Sequence, residues 1–217
     1  MTLLVYTAML GSIDQIVPPV PQTGVDLDVR VFTDLDFPPR PRAMTRRLQA
    51  RIPKIFGWDL ALGYDAYLWI DGSLAMTRPD AAAWFLSQLG SHDICVFRHP
   101  WRMTLQEEID FVRAKMASGS RYLLSRYEGE DLDGLERYLV REHLTALPLF
   151  ASGAFIYRPT PAIQAACQTW WNLTARYHAL DQIQLSVALH QCACATHVID
   201  EDIYHASHLS WIGHRRG

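Results

Sequence analysis

Arg47, Arg51 and Lys54 are spaced i, i+4, i+7, so they share one face if their segment is helical. Such a stripe could hold a diphosphate, with arginine as the bidentate fork and lysine as the point charge. The same spacing also suits a solvated face, and Pro53 interrupts it just before its third member. Asp71 stands in Tyr-Leu-Trp-Ile-Asp-Gly-Ser, a carboxylate at the end of an apolar run and beside a glycine. A hard divalent cation bridging diphosphate oxygens needs such an oxygen ligand. A turn uses Asp-Gly equally well. His99 and Arg102 frame a His-Pro-Trp-Arg segment with Glu107 and Glu108 close behind. Together they could bind polar groups, or His99 could simply end a strand and Trp101 enter the core. Asp181 opens an apolar segment, where Asp is a favoured helix N-cap accepting from a backbone N–H two or three residues on. Trp170 and Trp171 lie in an apolar helical segment and read as core.

These residues need elements to position them. Leu3 to Leu10, Asp28 to Thr33, Ala66 to Ile70 and Asp93 to Arg98 read as strands, followed later by Ala151 to Tyr157 and Thr196 to Asp200. Helices are expected over Arg42 to Leu62 (kinked at Pro53), Pro79 to Leu89 and Thr104 to Ala117, the last opened by a capping box of Thr104 and Glu107. Further helices read as Leu132 to Leu144, Pro161 to His178 and Asp181 to His190. Alternation of strands and helices through the first hundred residues points to an α/β fold with a largely parallel sheet. Ligands of such sheets bind outside the carboxyl ends of the strands. Asp34, Asp71 and His99 each fall just past a strand, where they could converge on one crevice.

Other chemistries lack their motifs. G-x-G-x-x-G, G-x-x-x-x-G-K-[ST] and G-x-S-x-G are all absent, which argues against a dinucleotide site, a P-loop and a hydrolase elbow. The 217 residues are 49% hydrophobic and 20% charged, ordinary for one globular domain and wrong for a disordered or collagenous chain. A net charge of −3 offers no basic face for nucleic acid. No apolar run approaches the roughly 20 residues of a transmembrane helix. The Met-Thr-Leu-Leu-Val-Tyr-Thr start lacks a signal peptide's basic and apolar regions, and Cys95, Cys167, Cys192 and Cys194 make no disulfide framework. A cytoplasmic location is therefore expected. Cys192 and Cys194 with His197, His205 and His208 could imitate a zinc site, but C-x-C lacks the usual spacing, and two small buried hydrophobes fit better.

Five short motifs carry a resemblance when taken in order. They are Val5-Tyr-Thr-Ala-Met-Leu-Gly-Ser-Ile-Asp14, Phe32-Thr-Asp34, Leu68-Trp-Ile-Asp-Gly-Ser73, His99-Pro-Trp-Arg102, and Trp170-Trp171 with Asp181-Gln182. From about residue 3 to residue 190 the chain resembles the glycosyltransferase-like family of bacterial and plant mucilage-related proteins. That family is in turn similar to GT-A nucleotide-sugar transferases of the retaining galactosyltransferase type. The resemblance implies a GT-A-like, Rossmann-like single domain over residues 1–200, with a mostly parallel central sheet flanked by helices. Residues 201–217 would form a tail, folding back on the site or partly disordered.

The implied activity is transfer of a sugar from a nucleotide-diphospho-sugar to an acceptor hydroxyl on a glycan or other molecule, as in polysaccharide biosynthesis. A decayed transferase that only binds nucleotide sugar or glycan, and a nucleotide-sugar hydrolase, are the alternatives. By resemblance, Tyr6, Thr7, Ala8 and Asp34 would hold the nucleotide, and Arg47, Arg51 and Lys54 the diphosphate. Asp71 would stand where a D-x-D motif binds manganese or magnesium, with His208 completing the metal site. Ser73, His99, Arg102, Ser152 and Gly153 would face the sugar or the acceptor, and Asp181 and Gln182 would lie beside the reacting carbon. The chain departs from the family in four places. D-x-D is reduced to Asp71-Gly72-Ser73, Ser152 replaces a glutamate, Leu180 an arginine, and Ile13 a tyrosine.

Overall fold

The computed structural model describes residues 1–11, 17–177 and 180–213. Ser12, Ile13 and Asp14 of the first motif, and the expected helix end at His178, lie outside the described residues. In chain order the elements are β1 (Thr2–Ala8), β2 (Asp26–Phe32), α1 (Arg46–Leu60), β3 (Ala66–Ile70), β4 (Leu74–Met76), α2 (Ala81–Leu89), β5 (Ile94–Arg98), α3 (Leu105–Ala117), α4 (Arg121–Tyr127), α5 (Leu132–Arg141), β6 (Phe150–Tyr157), α6 (Pro161–Arg176), α7 (Asp181–Gln191), β7 (Thr196–Ile199) and β8 (Leu209–Trp211). Among these residues no helix is long and apolar enough to cross a membrane.

The fold is the α/β architecture expected: a six-stranded sheet ordered β2-β1-β3-β6-β5-β7 with helices on both faces. Pairing is parallel for β1 with β2 and β3 and for β5 with β7, whereas β6 runs antiparallel to both β3 and β5. Reversal of β6 brings its first residues to the carboxyl ends of its neighbours, so Ser152 and Gly153 join Asp71 and His99 at one edge. The register between β5 and β6 also slips there: Val96 faces Phe155, but Phe97 faces Ala151. Such a bulge re-aims side chains locally. Here it falls on Ser152 and Gly153.

Leu3, Val5, Leu68 and Ile70 pack under α2, while alternate residues Leu4, Tyr6, Tyr67 and Trp69 pack under α1, α6 and α7. The period-2 alternation of buried strands thus serves two cores. A third cluster, Leu105, Ile109, Leu135 and Leu139 with Ile183 and Val187, joins α3 and α5 to α7.

α1 is shorter than expected. Thr45 caps it, accepting from Leu48 N–H at 3.1 Å. Pro53 lies inside it, and Phe56 leaves helical φ/ψ three residues later. Two tyrosine hydroxyls span this turn. Trp58 N–H donates to Tyr157 Oη at 3.2 Å, and Tyr6 Oη–H donates to the Lys54 carbonyl at 3.0 Å. The two hydroxyls are 3.2 Å apart, so Tyr157 must donate to Tyr6. Burial raises the pKa of both well above the ordinary value, which keeps the relay protonated.

Three short elements escape the sequence reading. β4 and β8 pair antiparallel, which returns the C-terminal segment to the residues just past Asp71. α4 follows Ser120, whose side chain makes no cap hydrogen bond. α2 begins at Ala81 after an Asp80 N-cap, so Pro79 precedes the helix instead of filling its first turn. In the capping box, Thr104 Oγ1 accepts from Glu107 N–H as expected, but the Glu107 carboxylate turns back to Met103 N–H at 2.7 Å.

Gly57 lies against the Tyr6 ring, and an added Cβ would fall inside the ring's contact distance. Gly57→Ala should therefore destabilise the fold by about 1–3 kcal/mol, the usual cost of overpacking. Urea unfolding checks this; an unchanged midpoint would mean that α1 can lift off Tyr6 freely.

Candidate active site

The carboxyl ends of β1, β3 and β5, the first half of β6, α1, α3, α4 and the start of α7 enclose a cleft of about 560 Å³. That is the size of a pocket for a mid-sized organic ligand. Its lining contains six cations, Arg46, Arg47, Arg51, Arg102, Lys115 and Arg126, against three carboxylates, Asp71, Glu108 and Asp181.

Lys54 is the hub beneath the floor, 1% exposed. Its Nζ lies 2.8 Å from Asp181 Oδ2, 3.3 Å from Asp71 Oδ1 and 3.3 Å from Ser152 Oγ. The Trp69 ring lies 5.6 Å beyond it. Ser152 Oγ–H donates to Asp181 Oδ1 at 3.3 Å, and Arg51 Nη2 pairs with the same oxygen at 3.2 Å. Burial alone would raise the Asp181 pKa, but Arg51 and Lys54 hold it below the ordinary carboxylate value. Burial opposes the Arg51 charge, yet Asp181 and Asp71 more than restore it. Trp170 Nε1–H donates to the Asp181 carbonyl at 2.7 Å, so a core tryptophan pins the start of α7.

Asp71 is held by Trp69 Nε1–H, which donates to Oδ1 at 2.7 Å, and by its own N–H on the Gly153 carbonyl at 2.7 Å. A Cβ on residue 153 would stand 3.6 Å from Asp71 Oδ2. The glycine therefore leaves that oxygen room.

A second network faces the first. Arg102 Nε pairs with Glu108, whose Oε1 accepts from Gln182 Nε2 at 2.6 Å. The Arg102 guanidinium lies 4.0 Å over the Phe111 ring. Burial raises the Glu108 pKa despite Arg102 and Gln182. His99 Nδ1 accepts from the N–H groups of Trp101 and Arg102 at 3.2 and 3.1 Å, and Nε2 lies 3.0 Å from Arg102 Nη2, so both ring nitrogens face donors. Burial, with the Arg102 charge, lowers its pKa to about 4.

Between α1 and α4 three guanidinium groups, of Arg47, Arg51 and Arg126, crowd together. Arg47 lies 5.5 Å over the Tyr127 ring and Arg126 3.8 Å over the Tyr122 ring. Burial lowers the Arg47 pKa, and repulsion from Arg126 and Arg51 adds to the effect. An anion between them would relieve both.

The structure brings together most of the residues expected from the sequence. Ala8, Arg47, Arg51, Asp71, Ser73, His99, Arg102, Ser152, Gly153, Asp181 and Gln182 all line the cleft. Five placements differ from expectation. The Tyr6 side chain points under α1, into the helix-kinking relay. Thr7, next on the alternating strand, faces the opposite side of the sheet toward Val17, Pro18 and Pro19. Asp34 stands at the rim, accepting from Gly11 N–H at 3.0 Å and pairing with Arg46. Lys54 lies under the floor, its ammonium occupied by protein acceptors. His208 is stacked on Trp84 with ring centroids 4.6 Å apart, its Nε2 3.6 Å from Asp80 Oδ2. The reason is the pairing of β8 with β4, which delivers the residue before β8 to α2 and not to Asp71. Nor is Asp181 a cap: Leu180 holds that position, and Asp181 is the first helical residue.

Sequence reasoning missed Arg46, Lys115, Tyr122, Arg126, Tyr127 and Tyr204, all on the lining. The α4 residues had a signal, since Tyr122 with Arg126 and Leu123 with Tyr127 repeat at i, i+4.

No family model and no curated protein matches the sequence. Several solved structures share part of the chain path. Mouse xyloside xylosyltransferase 1 in its apo form aligns with a TM-score of 0.44 and 12% identity over 81% of this chain and 63% of that one. Glucosyl-3-phosphoglycerate synthase from Mycobacterium tuberculosis, solved with Mn2+, uridine diphosphate and phosphoglyceric acid, aligns at 0.42 and 14% over 91% and 66%. A197 from STIV aligns at 0.38 and 8% over 92% and 82%. The chain thus spans under two thirds of the length of either enzyme.

The His99 shift carries a sign. A native pKa near 4 against an ordinary 6.5 means the unfolded chain binds more protons between these values. Stability should fall as pH drops from about 6.5 toward about 4, by up to about 3 kcal/mol. His99→Asn, whose amide oxygen can still accept from the backbone, should flatten that slope in denaturant titrations at a series of pH values. An equal slope in both proteins would remove His99 as its source.

Proposed function

We propose that the cleft binds a nucleotide-diphospho-sugar and transfers its sugar to an acceptor hydroxyl, on a GT-A-like scaffold. The observation that carries this reading is the crowding of Arg47, Arg51 and Arg126 over a floor made of Asp71, Lys54, Ser152 and Asp181. Three convergent guanidiniums suit a diphosphate, which needs several charge-assisted bonds. The motif resemblance assigns the same region to the donor.

In the reaction, the bond from the anomeric carbon to the diphosphate oxygen breaks, and its electron pair leaves with the diphosphate. Arg47, Arg51 and Arg126 stabilise that growing charge. Asp181 holds Arg51 in place, and its own charge favours the positive charge at the sugar carbon. The acceptor oxygen bonds to that carbon and loses its proton. Glu108, its pKa raised by burial, is the carboxylate suited to take that proton.

Manganese or magnesium has a limited footing. Among the described residues no group of three His, Cys, Asp or Glu side chains could hold an ion. Asp71 Oδ2, given room by Gly153, would hold one, with phosphate and water as its remaining ligands. When bound, the ion supplies further positive charge to the leaving diphosphate. Mn2+ should therefore bind measurably only with nucleoside diphosphate present, and Asp71→Asn should abolish that coupling. Electron paramagnetic resonance titration reads both; tight Mn2+ binding to the free protein would refute the dependence.

Arg47→Ala should weaken binding of nucleoside diphosphate ten- to a hundredfold, since a bond to a charged group is worth about 1.5–3 kcal/mol. Calorimetric titration with uridine, adenosine and guanosine diphosphates tests this, and failure of all three to bind the parent would end the reading. One observation favours a binding protein without turnover: both Asp181 oxygens are already engaged by Arg51, Ser152 and Lys54. Release of nucleoside diphosphate from a sugar donor separates the two.

A further inference from the structure

The cleft has an aromatic end that the donor reading does not use. Trp101 is 64% exposed, the most exposed tryptophan among the described residues. Its ring is stacked on Tyr204 at 5.0 Å and 10°, and Trp211 meets Tyr204 edge-on at 5.9 Å. These three rings come from the loop after β5, the loop after β7 and β8. Trp101 and Tyr204 line the cleft beside Arg102, Glu108 and Gln182. An indole this large is normally buried. Here the chain gathers it, from distant segments, into a flat surface next to a carboxylate and two donor groups.

We propose that Trp101 and Tyr204 are the platform of a second subsite, for the acceptor, and that the acceptor is a carbohydrate; this rests on the donor reading above. A pyranose has an apolar C–H face and a rim of hydroxyls. The C–H face suits the electron-rich face of an indole. Rim hydroxyls both donate and accept, so they need a carboxylate and N–H donors together, and Glu108 stands between Arg102 and Gln182. A nucleobase would also stack on Trp101, but its position argues otherwise. Arg47 and Arg51 stand on α1, whose Lys54 reaches Asp71 at the end of β3, and Trp101 follows β5, two strands from β3 and roughly 10 Å at ordinary strand spacing. Asp71, Ser152 and Gly153 occupy the interval. The order across the edge is thus nucleotide, reacting sugar, acceptor.

Saturation-transfer NMR on the full chain tests this, with methyl glucoside, galactoside, mannoside and xyloside as probes and catechol as a flat non-sugar control. The parent should transfer saturation to ring C–H protons of at least one glycoside. Trp101→Ala should weaken that binding at least tenfold, and Trp101→Phe should restore most of it. Nucleoside diphosphate affinity, measured separately by calorimetry, should be the same in all three proteins. Binding of no glycoside, equal glycoside binding by Trp101→Ala, or Trp101-dependent binding of catechol alone would each overturn the acceptor subsite. Loss of nucleotide affinity in Trp101→Ala would overturn it too, because the platform would then hold the base. If the parent binds a glycoside at Trp101 but no nucleoside diphosphate, the donor reading fails and the carbohydrate platform stands without it.

Discussion

A single buried ammonium organises the site. Burying a charge without partners costs several kcal/mol even after relaxation. Lys54 meets that demand with Asp181, Asp71 and Ser152 within 3.3 Å and the face of Trp69 behind. These partners come from α7, the end of β3 and β6, so one side chain of α1 fastens three other elements at the cleft floor. With Arg51 added, two cations face two carboxylates and the floor is neutral. Removing any one member would leave a buried charge uncompensated, a worse state than an apolar replacement of the whole group. The net positive charge that faces a ligand is then supplied from the walls, where arginines can move without disturbing the floor.

Placing Lys54 is a backbone problem before it is an electrostatic one. A straight helix would carry its carbonyl away from the sheet. Instead Pro53 loosens the turn, and the Tyr157–Tyr6 relay takes up the Trp58 N–H and the Lys54 carbonyl across the non-helical Phe56. The tyrosines belong to β1 and β6, so the helix is keyed to the strand that carries Ser152 and to the neighbour of the strand that leads to Asp71. Gly57 permits this because it has no Cβ to meet the Tyr6 ring. The reversed, bulged β6 completes the arrangement by presenting Ser152 and Gly153 at the same edge.

This division explains what was legible in the sequence. Ala66–Ile70 is an uninterrupted apolar run, and its strand has the expected ends. The i, i+4, i+7 spacing of Arg47, Arg51 and Lys54 does mark one helix face, because helical periodicity is local. How deep each residue lies along that face is not local, and so Lys54 reads as a ligand group when it is a floor beam. Tyr6 and Thr7 fail for a related reason: strand alternation sends neighbours to opposite faces, and only Ala8, at the end of β1, reaches the cleft. Asp181 carried a cap's signature, yet a first-turn carboxylate facing two cations gains more from them than from the helix end. β8 and His208 could not be placed from sequence, since a three-residue strand has too little pattern to declare its partner.

The sheet edge also orders the chemistry along the cleft. Between α1 and α4 the cations lie on tyrosine rings or crowd one another, a state that an incoming anion improves. Past β5 the cation Arg102 is already matched by Glu108, beside hydrogen-bonding groups and exposed rings. A ligand charged at one end and neutral but hydroxylated at the other has one favourable orientation in such a field, because its reversal would bring phosphate against Glu108. Orientation is then set before any specific contact forms. The neutral floor matters for the same reason. A floor with net charge would bind the diphosphate, or repel it, over the whole cleft, and only a balanced one lets the arginines at one end decide where it rests.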